Sequence, residues 1–270
     1  MKKKLGFIGA GKMAEALLKG IISQEIFASQ QIHISDIKEE RLIELKDSYG
    51  VQITEDNQEL VKESDIVVLA VKPNIITDVL AEVADNFTDK QVIYSIAAGV
   101  ELESIETRLS SQTAVFRLMP NTPALIGEGA IAYSPGSYCQ TEDEELLKEI
   151  FTAAGSVTKV KEELMDAVTG LSGSGPAYVY LIIEALIDAG VNVGLAREKA
   201  RELVLQTLIG ATKTVAETGE HPAQLKDMVT SPGGTTIAAL ESLEDDGLRS
   251  ALFQAVKTAT NKSKQLKGDD

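Results

Sequence analysis

Gly9-Ala10-Gly11-Lys12-Met13-Ala14 stands directly behind the apolar run Leu5-Gly6-Phe7-Ile8 and ahead of a helical pattern, and no other stretch narrows the available folds so far. In a G-x-G-x-x-A turn from strand to helix, the first glycine permits the tight turn and the second lets backbone approach a pyrophosphate. The small third residue lets helix and strand pack closely. The diphosphate then sits on the helix N-terminus, where backbone N–H groups lack partners. Ordinary glycine-rich turns match the bare pattern; the strand before it and the helix after it single out the dinucleotide-binding case.

Short apolar-rich runs at Leu5 to Ile8, Gln31 to Ser35, Ile66 to Ala70, Val92 to Ser95 and Ala114 to Leu118, their apolar residues mostly consecutive, read as strands covered on both faces. Met13 to Ser23, Glu39 to Ser48, Asp56 to Lys62 and Asn74 to Ala84 repeat apolar residues at spacings of three and four and read as helices. This alternation specifies an α/β fold, a doubly wound parallel sheet of the Rossmann kind. After a last strand at Ser156 to Val160 only helices follow. They are Glu162 to Leu171, Ala177 to Ala189, Arg197 to Thr218, Pro222 to Val229, Thr235 to Leu243 and Leu248 to Leu266, with Gly170, Gly190, Gly219 and Gly247 at or just past their ends. The expected organisation is a nucleotide-binding domain over 1–160 and an all-helical domain over 161–270, with Ala177 to Ala189 a buried helix and Lys267 to Asp270 a frayed tail.

Charge limits the partners. The 41 acidic side chains outnumber 26 basic ones, and a formal charge of -15 repels nucleic acid and anionic membrane. A small anionic substrate must therefore be held by a local device. Cys139 is the one cysteine, which excludes an intrachain disulfide and a cysteine metal site and fits a reducing cytoplasm. The apolar run after the basic Met1 to Lys4 is too short for a signal peptide. Glu184 and Asp188 interrupt the most apolar stretch, Ala177 to Val193, so no membrane span is expected.

Several loops compete as sites. The second strand ends at Ser35-Asp36, where an acid accepts from a ribose 2′-OH and favours NAD, whereas Lys38 and Arg41 could hold a 2′-phosphate and favour NADP; a third reading has Asp36 cap the next helix. Ala70-Val71-Lys72-Pro73 and Ser95-Ile96-Ala97-Ala98-Gly99 close two more strands on the edge where ligands collect. Pro120-Asn121-Thr122-Pro123 reads more readily as a rigid turn than as a site. Leu171-Ser172-Gly173-Ser174-Gly175-Pro176 implies close backbone approach, to a ligand or to a helix. Ser231-Pro232-Gly233-Gly234-Thr235-Thr236 either opens a plainly N-capped helix or forms an anion nest. In the nest, two glycines free to take positive φ aim several N–H groups into one volume and hold a carboxylate without a cation.

Asp166 to Tyr178 and Ser231 to Ile237 are the most specific parts of a resemblance to the pyrroline-5-carboxylate reductase family. His221-Pro222, Leu225-Lys226-Asp227, Ala70 to Pro73 and Asn121-Thr122-Pro123 support it, and the likeness runs from Gly6 to about residue 265. Lys12 departs from the asparagine common in that family. The resemblance implies reduction of Δ1-pyrroline-5-carboxylate to L-proline with NAD(P)H, NADPH being preferred and NADH possible. It also implies a helical C-terminal domain that interlocks with a second subunit, giving a homodimer or a decamer with active sites at the dimer interface. By position it assigns cofactor contacts to Gly9, Ala10, Gly11, Lys12, Met13, Ala14, Ser35, Asn57, Ala70, Lys72, Ala98 and Gly99. Substrate contacts fall to Glu162, Ser231, Gly233, Gly234, Thr235 and Thr236.

No histidine is placed to protonate an imine. His33 lies inside a strand, His221 at a helix start, and neither has an acidic partner at triad or metal spacing. A cyclic imine protonated before it binds needs only orientation, so Thr236 is the candidate catalytic residue, hydrogen-bonding the ring nitrogen. Tyr178 and Tyr180 read as packing residues before acid catalysts, and Cys139 as an incidental thiol. Two rivals stay open. A β-hydroxyacid dehydrogenase needs an acid–base lysine on the first long helix of the second domain, and Ala177 to Ala189 has no Lys, Arg or His. A regulatory protein that senses nicotinamide without turnover would have no use for the substrate-loop residues.

Overall fold

Eight strands form one sheet in the order β3-β2-β1-β4-β5-β6-β7-β8. The computed structural model describes residues 3–266, Leu266 by its backbone alone; the expected fraying of Lys267 to Asp270 lies outside the described residues. The strands are β1 (Leu5–Ile8), β2 (Ile32–Ser35), β3 (Gln52–Thr54), β4 (Ile66–Leu69), β5 (Val92–Ser95), β6 (Ala114–Met119), β7 (Gly129–Pro135) and β8 (Gly155–Lys159). Helices α1 (Lys12–Ser23), α2 (Glu39–Tyr49), α3 (Asn57–Glu63), α4 (Ile76–Val83), α5 (Leu102–Glu106) and α6 (Thr141–Phe151) lie between them.

The sheet makes two cores because successive residues of a strand point to opposite faces. Leu5, Phe7, Ile66, Val68, Tyr94 and Phe116 pack on one side with α1, α2 and α6. Ile8, Val67, Leu69, Ile93 and Val115 pack on the other with α3, α4 and α5. The consecutive apolar runs thus reflect burial on both faces, as expected. The sheet is the expected doubly wound parallel one with a single antiparallel junction added at its far side: β7 runs antiparallel to β6, while β8 is parallel to β7. The connection from Met119 to Gly129 holds only a short 3₁₀ turn, Thr122–Ile126, and a parallel crossover requires about a dozen residues or more.

Tyr94 is the exception to a satisfied core. Its ring meets Phe151 edge-on at 5.1 Å and Phe116 at 5.6 Å, yet its hydroxyl is buried with no hydrogen-bond partner among the described residues. Burial pushes that phenol well above its ordinary pKa, with Asp143 and Cys139 adding to the effect. An unmade buried hydrogen bond costs roughly 1–3 kcal/mol, so Tyr94→Phe is expected to leave stability unchanged or raise it by about 1 kcal/mol. Denaturant midpoints measure this, and a clear loss of stability would show that the hydroxyl has a partner.

The helical remainder comprises α7 (Met165–Val168), α8 (Gly175–Asn192), α9 (Arg197–Thr218), α10 (Pro222–Met228), α11 (Thr235–Asp245) and α12 (Leu248–Leu266). Between α7 and α8 the expected helix end at Gly170 is absent. The chain stays helical through a wider π turn, Thr169–Gly173, whose bond from Ser174 N–H to the Thr169 carbonyl spans five residues at 2.8 Å. Gly190 likewise lies inside α8, where a Cβ would come within 2.9 Å of the Ala200 Cβ, so its role is close packing against α9. Gly219 and Gly247, with φ of 67° and 73°, do end helices.

By compactness the chain divides differently from the expected boundary at 160/161. One unit runs to Ser174 and takes back the chain from Thr258, and the other is Gly175–Lys257. Residues 161–174 stay with the sheet because Asn121 donates to the Ser172 carbonyl at 3.0 Å and Arg117 pairs with Glu162. The second unit has almost no interior: of its residues only Ala200 is buried, while Leu181, Ile209, Met228 and Phe253 stand exposed. The expectation that Ala177 to Ala189 is a buried helix therefore fails for the single chain, since α8 is apolar but uncovered.

Candidate active site

The strand order reverses about β1, and the turn after it is built as a phosphate cradle. Gly9 has φ of 102°, and a Cβ there would lie 2.7 Å from the Ala70 carbonyl oxygen, so only glycine fits. A Cβ on Gly11 would meet nothing within 4 Å. Gly11 also begins α1 with no side-chain cap, which leaves first-turn N–H groups to a ligand. The residues present therefore fit a dinucleotide.

Around this turn the other expected cofactor positions gather on the carboxyl edge of the parallel strands. Lys12, Met13 and Ala14 open α1, and Ser35 ends β2. Asn57 opens α3, Ala70 and Lys72 follow β4, and Ala98 and Gly99 follow β5. Ser35 Oγ donates to Asn57 Oδ1 at 2.7 Å, and Asn57 Nδ2 donates to Glu82 at 2.9 Å, so the amide is held in one orientation. An open groove of about 1050 Å³ continues along this edge past Asn74, Thr77, Ala98, Gly99, Arg108 and Lys262.

Asp36 does not cap α2, whose N-cap is Lys38. Its carboxylate accepts from the Ala10 N–H at 2.7 Å and from the Lys38 N–H at 3.0 Å, tying β2 to the glycine-rich turn. Arg41 is engaged through all three guanidinium nitrogens. Nε donates to the Ala10 carbonyl at 2.8 Å, Nη2 to Glu15 at 2.6 Å and Nη1 to Glu44 at 2.5 Å. Burial alone would raise the Glu15 carboxyl, but the bond and charge of Arg41, aided by Lys12, hold it below its ordinary value. Arg41 and Glu15 were missed as a unit because they lie on different helices and meet only in the fold.

Glu162 is half-buried in the first unit, and its Oε1 accepts from the Leu102 N–H at 2.8 Å and from Arg117 Nη1 at 3.0 Å. Arg117, 4% exposed, is a charge inside a strand and went unremarked in the sequence; the signal was that single arginine in an apolar run. Asn121 proves to be a brace, accepting from the Ala130 N–H at 2.8 Å while donating to Ser172. In the second unit, Gly233 takes φ of 66° and Gly234 begins α11 with no side-chain cap, which favours the nest over the plainly capped helix. Ser231 and Thr235 are exposed and Thr236 half-buried, and Thr235 and Thr236 are the first two residues of that helix.

The remaining candidates are structural. His33 lies near Glu63, its pKa lowered by burial and then by Lys4, and His221 caps α10 by accepting from the Ala223 N–H at 3.2 Å. Burial pushes the Cys139 thiol up to about 12, so at neutral pH it is an inert thiol donating to the Val115 carbonyl. No cluster of three or more metal-ligating side chains occurs among the described residues.

Comparison with known proteins bears on both halves. The family described as pyrroline-5-carboxylate reductase dimerisation matches residues 162–266, and the one described as NADP oxidoreductase coenzyme F420-dependent matches residues 4–99. A pyrroline-5-carboxylate reductase of Methanosarcina acetivorans is 46% identical over 98% of both chains. The crystal structure of Plasmodium falciparum pyrroline carboxylate reductase with NADP bound superposes with a TM-score of 0.89 at 36% identity, covering 98% of each chain. A pyrroline-5-carboxylate reductase from Coxiella burnetii gives 0.91 at 35% identity, covering 98% of this chain and 99% of that one.

Proposed function

Because the chain belongs to the pyrroline-5-carboxylate reductase family, we propose that its glycine-rich turn holds NADP and its Ser231–Thr236 loop holds the substrate carboxylate. The enzyme reduces the C=N bond of Δ1-pyrroline-5-carboxylate to give L-proline, the last step of proline synthesis. When bound, NADPH supplies the hydride. The identity across the full length carries the reaction, and the uncapped start of α11 behind Gly233 carries the substrate assignment.

The protein supplies position and charge. First-turn N–H groups of α1 receive the diphosphate, with Gly9 to Ala14, Ser35, Asn57, Ala70, Lys72, Ala98 and Gly99 lining its path. N–H groups around Gly233, Gly234 and Thr235 take the carboxylate that a net charge of -15 would otherwise repel. The Thr236 hydroxyl hydrogen-bonds the ring nitrogen and orients the imine, which arrives protonated. By its position in the family, Glu162 contributes a further substrate contact.

The chain self-associates through its dimerisation region. In the proposed assembly two copies interlock through the C-terminal helices, and dimers build to a decamer. By length and composition the helical run Glu162–Asn192 would suffice to cross a membrane, contrary to the sequence expectation. Self-association accounts for its apolar surface, and we place the enzyme in the cytoplasm as a soluble oligomer. Purified protein given NADPH and pyrroline-5-carboxylate is expected to consume nicotinamide absorbance and form proline. Cofactor binding without turnover would favour the sensor, and no binding of either nicotinamide would overturn the whole reading.

A further inference from the structure

The residues that should choose between NADPH and NADH are committed elsewhere. A fold of this type places an acid or an arginine after the second strand to meet the ribose 2′ position. Here Arg41, its side chain 15% exposed, spends its three nitrogens on Ala10, Glu15 and Glu44. Asp36 spends one oxygen on the Ala10 N–H and the other on the Lys38 N–H. Ala10, the second residue of the phosphate turn, is thus gripped at its N–H by Asp36 and at its carbonyl by Arg41. Lys12 leans on Glu15 at 3.5 Å from the first residue of α1. Lys38 is exposed, and its Nζ has no partner among the described residues.

We infer that Arg41 is a positioning residue which fixes the phosphate turn for either nicotinamide, and that Lys38 is the side chain that distinguishes NADPH from NADH. Arg41 is the better brace because a planar guanidinium bonds a carbonyl and two carboxylates at once, which an ammonium on a flexible stem does not reproduce. Lys38 is the better reader because its charge is uncommitted among the described residues and it stands three residues past the end of β2. Glu39 and Glu40 follow it in the same shallow groove as Glu44, so the discrimination is expected to be moderate and to weaken with salt.

The inference rests on NADP being the cofactor, and direct binding tests it apart from turnover. Dissociation constants of NADPH and NADH for the intact oligomer are measured by fluorescence without substrate, with 2′,5′-ADP as a probe that lacks the diphosphate bridge. Lys38→Met is expected to weaken NADPH and 2′,5′-ADP about 5- to 30-fold and NADH less than twofold, the range for one exposed charge-assisted contact. Arg41→Met is expected to weaken NADPH and NADH by the same factor, about 3- to 10-fold, and to weaken 2′,5′-ADP, whose 5′-phosphate meets the same turn, by no more than that factor. Arg41→Lys should show the same parallel loss, and serves if the methionine variant does not fold. A selective loss of NADPH in either Arg41 variant, an equal loss of both cofactors in Lys38→Met, or no change in any variant overturns the inference. Failure of the unmodified enzyme to bind either nicotinamide instead overturns the functional reading beneath it.

Discussion

Thr236→Ala is expected to lower kcat/KM for pyrroline-5-carboxylate ten- to a thousandfold while leaving NADPH binding intact. The range corresponds to losing one well-placed hydrogen bond to a charged group, about 1.5–4 kcal/mol. Thr236 is the second residue of α11, behind a glycine with φ of 66°. Its backbone is therefore fixed by the same turn that gathers the carboxylate-binding N–H groups, and removing the hydroxyl should leave that turn unchanged. Thr236→Ser keeps the hydroxyl and should keep most of the activity, which separates loss of a contact from loss of the loop. Steady-state kinetics together with a cofactor titration decide it. An alanine variant as active as the parent would move the search for the nitrogen's partner to a bound water or to Tyr178.

Leu181→Glu is expected to abolish both assembly and turnover. Leu181 is 66% exposed in the single chain, on a helix with no buried residue, within a unit where only Ala200 is buried. A carboxylate placed in an apolar interface costs several kcal/mol, and a twofold interface meets it twice. The dimer constant should weaken by at least three orders of magnitude, on the order of what about 4 kcal/mol implies. Light scattering should then report a monomer. A normal oligomer with Leu181→Glu would show that this face of α8 lies outside the contact.

Legibility of the fold in the sequence followed how locally each element is determined. α9 and α12 were readable to the residue because their boundaries carry their own marks, Gly219 and Gly247 among them. β7 was invisible: Gly129, Ala130, Ser134 and Pro135 are poor strand formers, and the segment is a strand because β6 and β8 flank it. β3 is three residues and α5 five, too short for a period. α6 could have been found, since three acids open it and Leu147, Ile150 and Phe151 recur at helical spacing.

The candidate site divides in the same way. The glycine-rich turn and the Ser231–Thr236 loop are contiguous, so their backbone demands are written in adjacent letters. The Arg41–Glu15 brace and the Arg117–Glu162 pair join residues 26 and 45 positions apart, and nothing short of the folded sheet brings them together. Asp36 shows the cost of reading such positions singly. Each of its possible roles was sound for an acid at that place, and the structure uses it for another, as the clasp on Ala10.

The coreless second unit has a consequence at the level of expression. If, as proposed, the helical segment finds its interior in another copy, it matures by a bimolecular step, and its yield at low synthesis rates scales with the square of chain number rather than in proportion to it. Newly made chains pass through a period in which Leu181, Ile209, Met228 and Phe253 face solvent. Quality control competes with the arrival of a second chain during that interval. A cell making few copies would lose a larger fraction of them to degradation, and a truncated chain that retained only these helices would capture full-length copies before they could pair with one another.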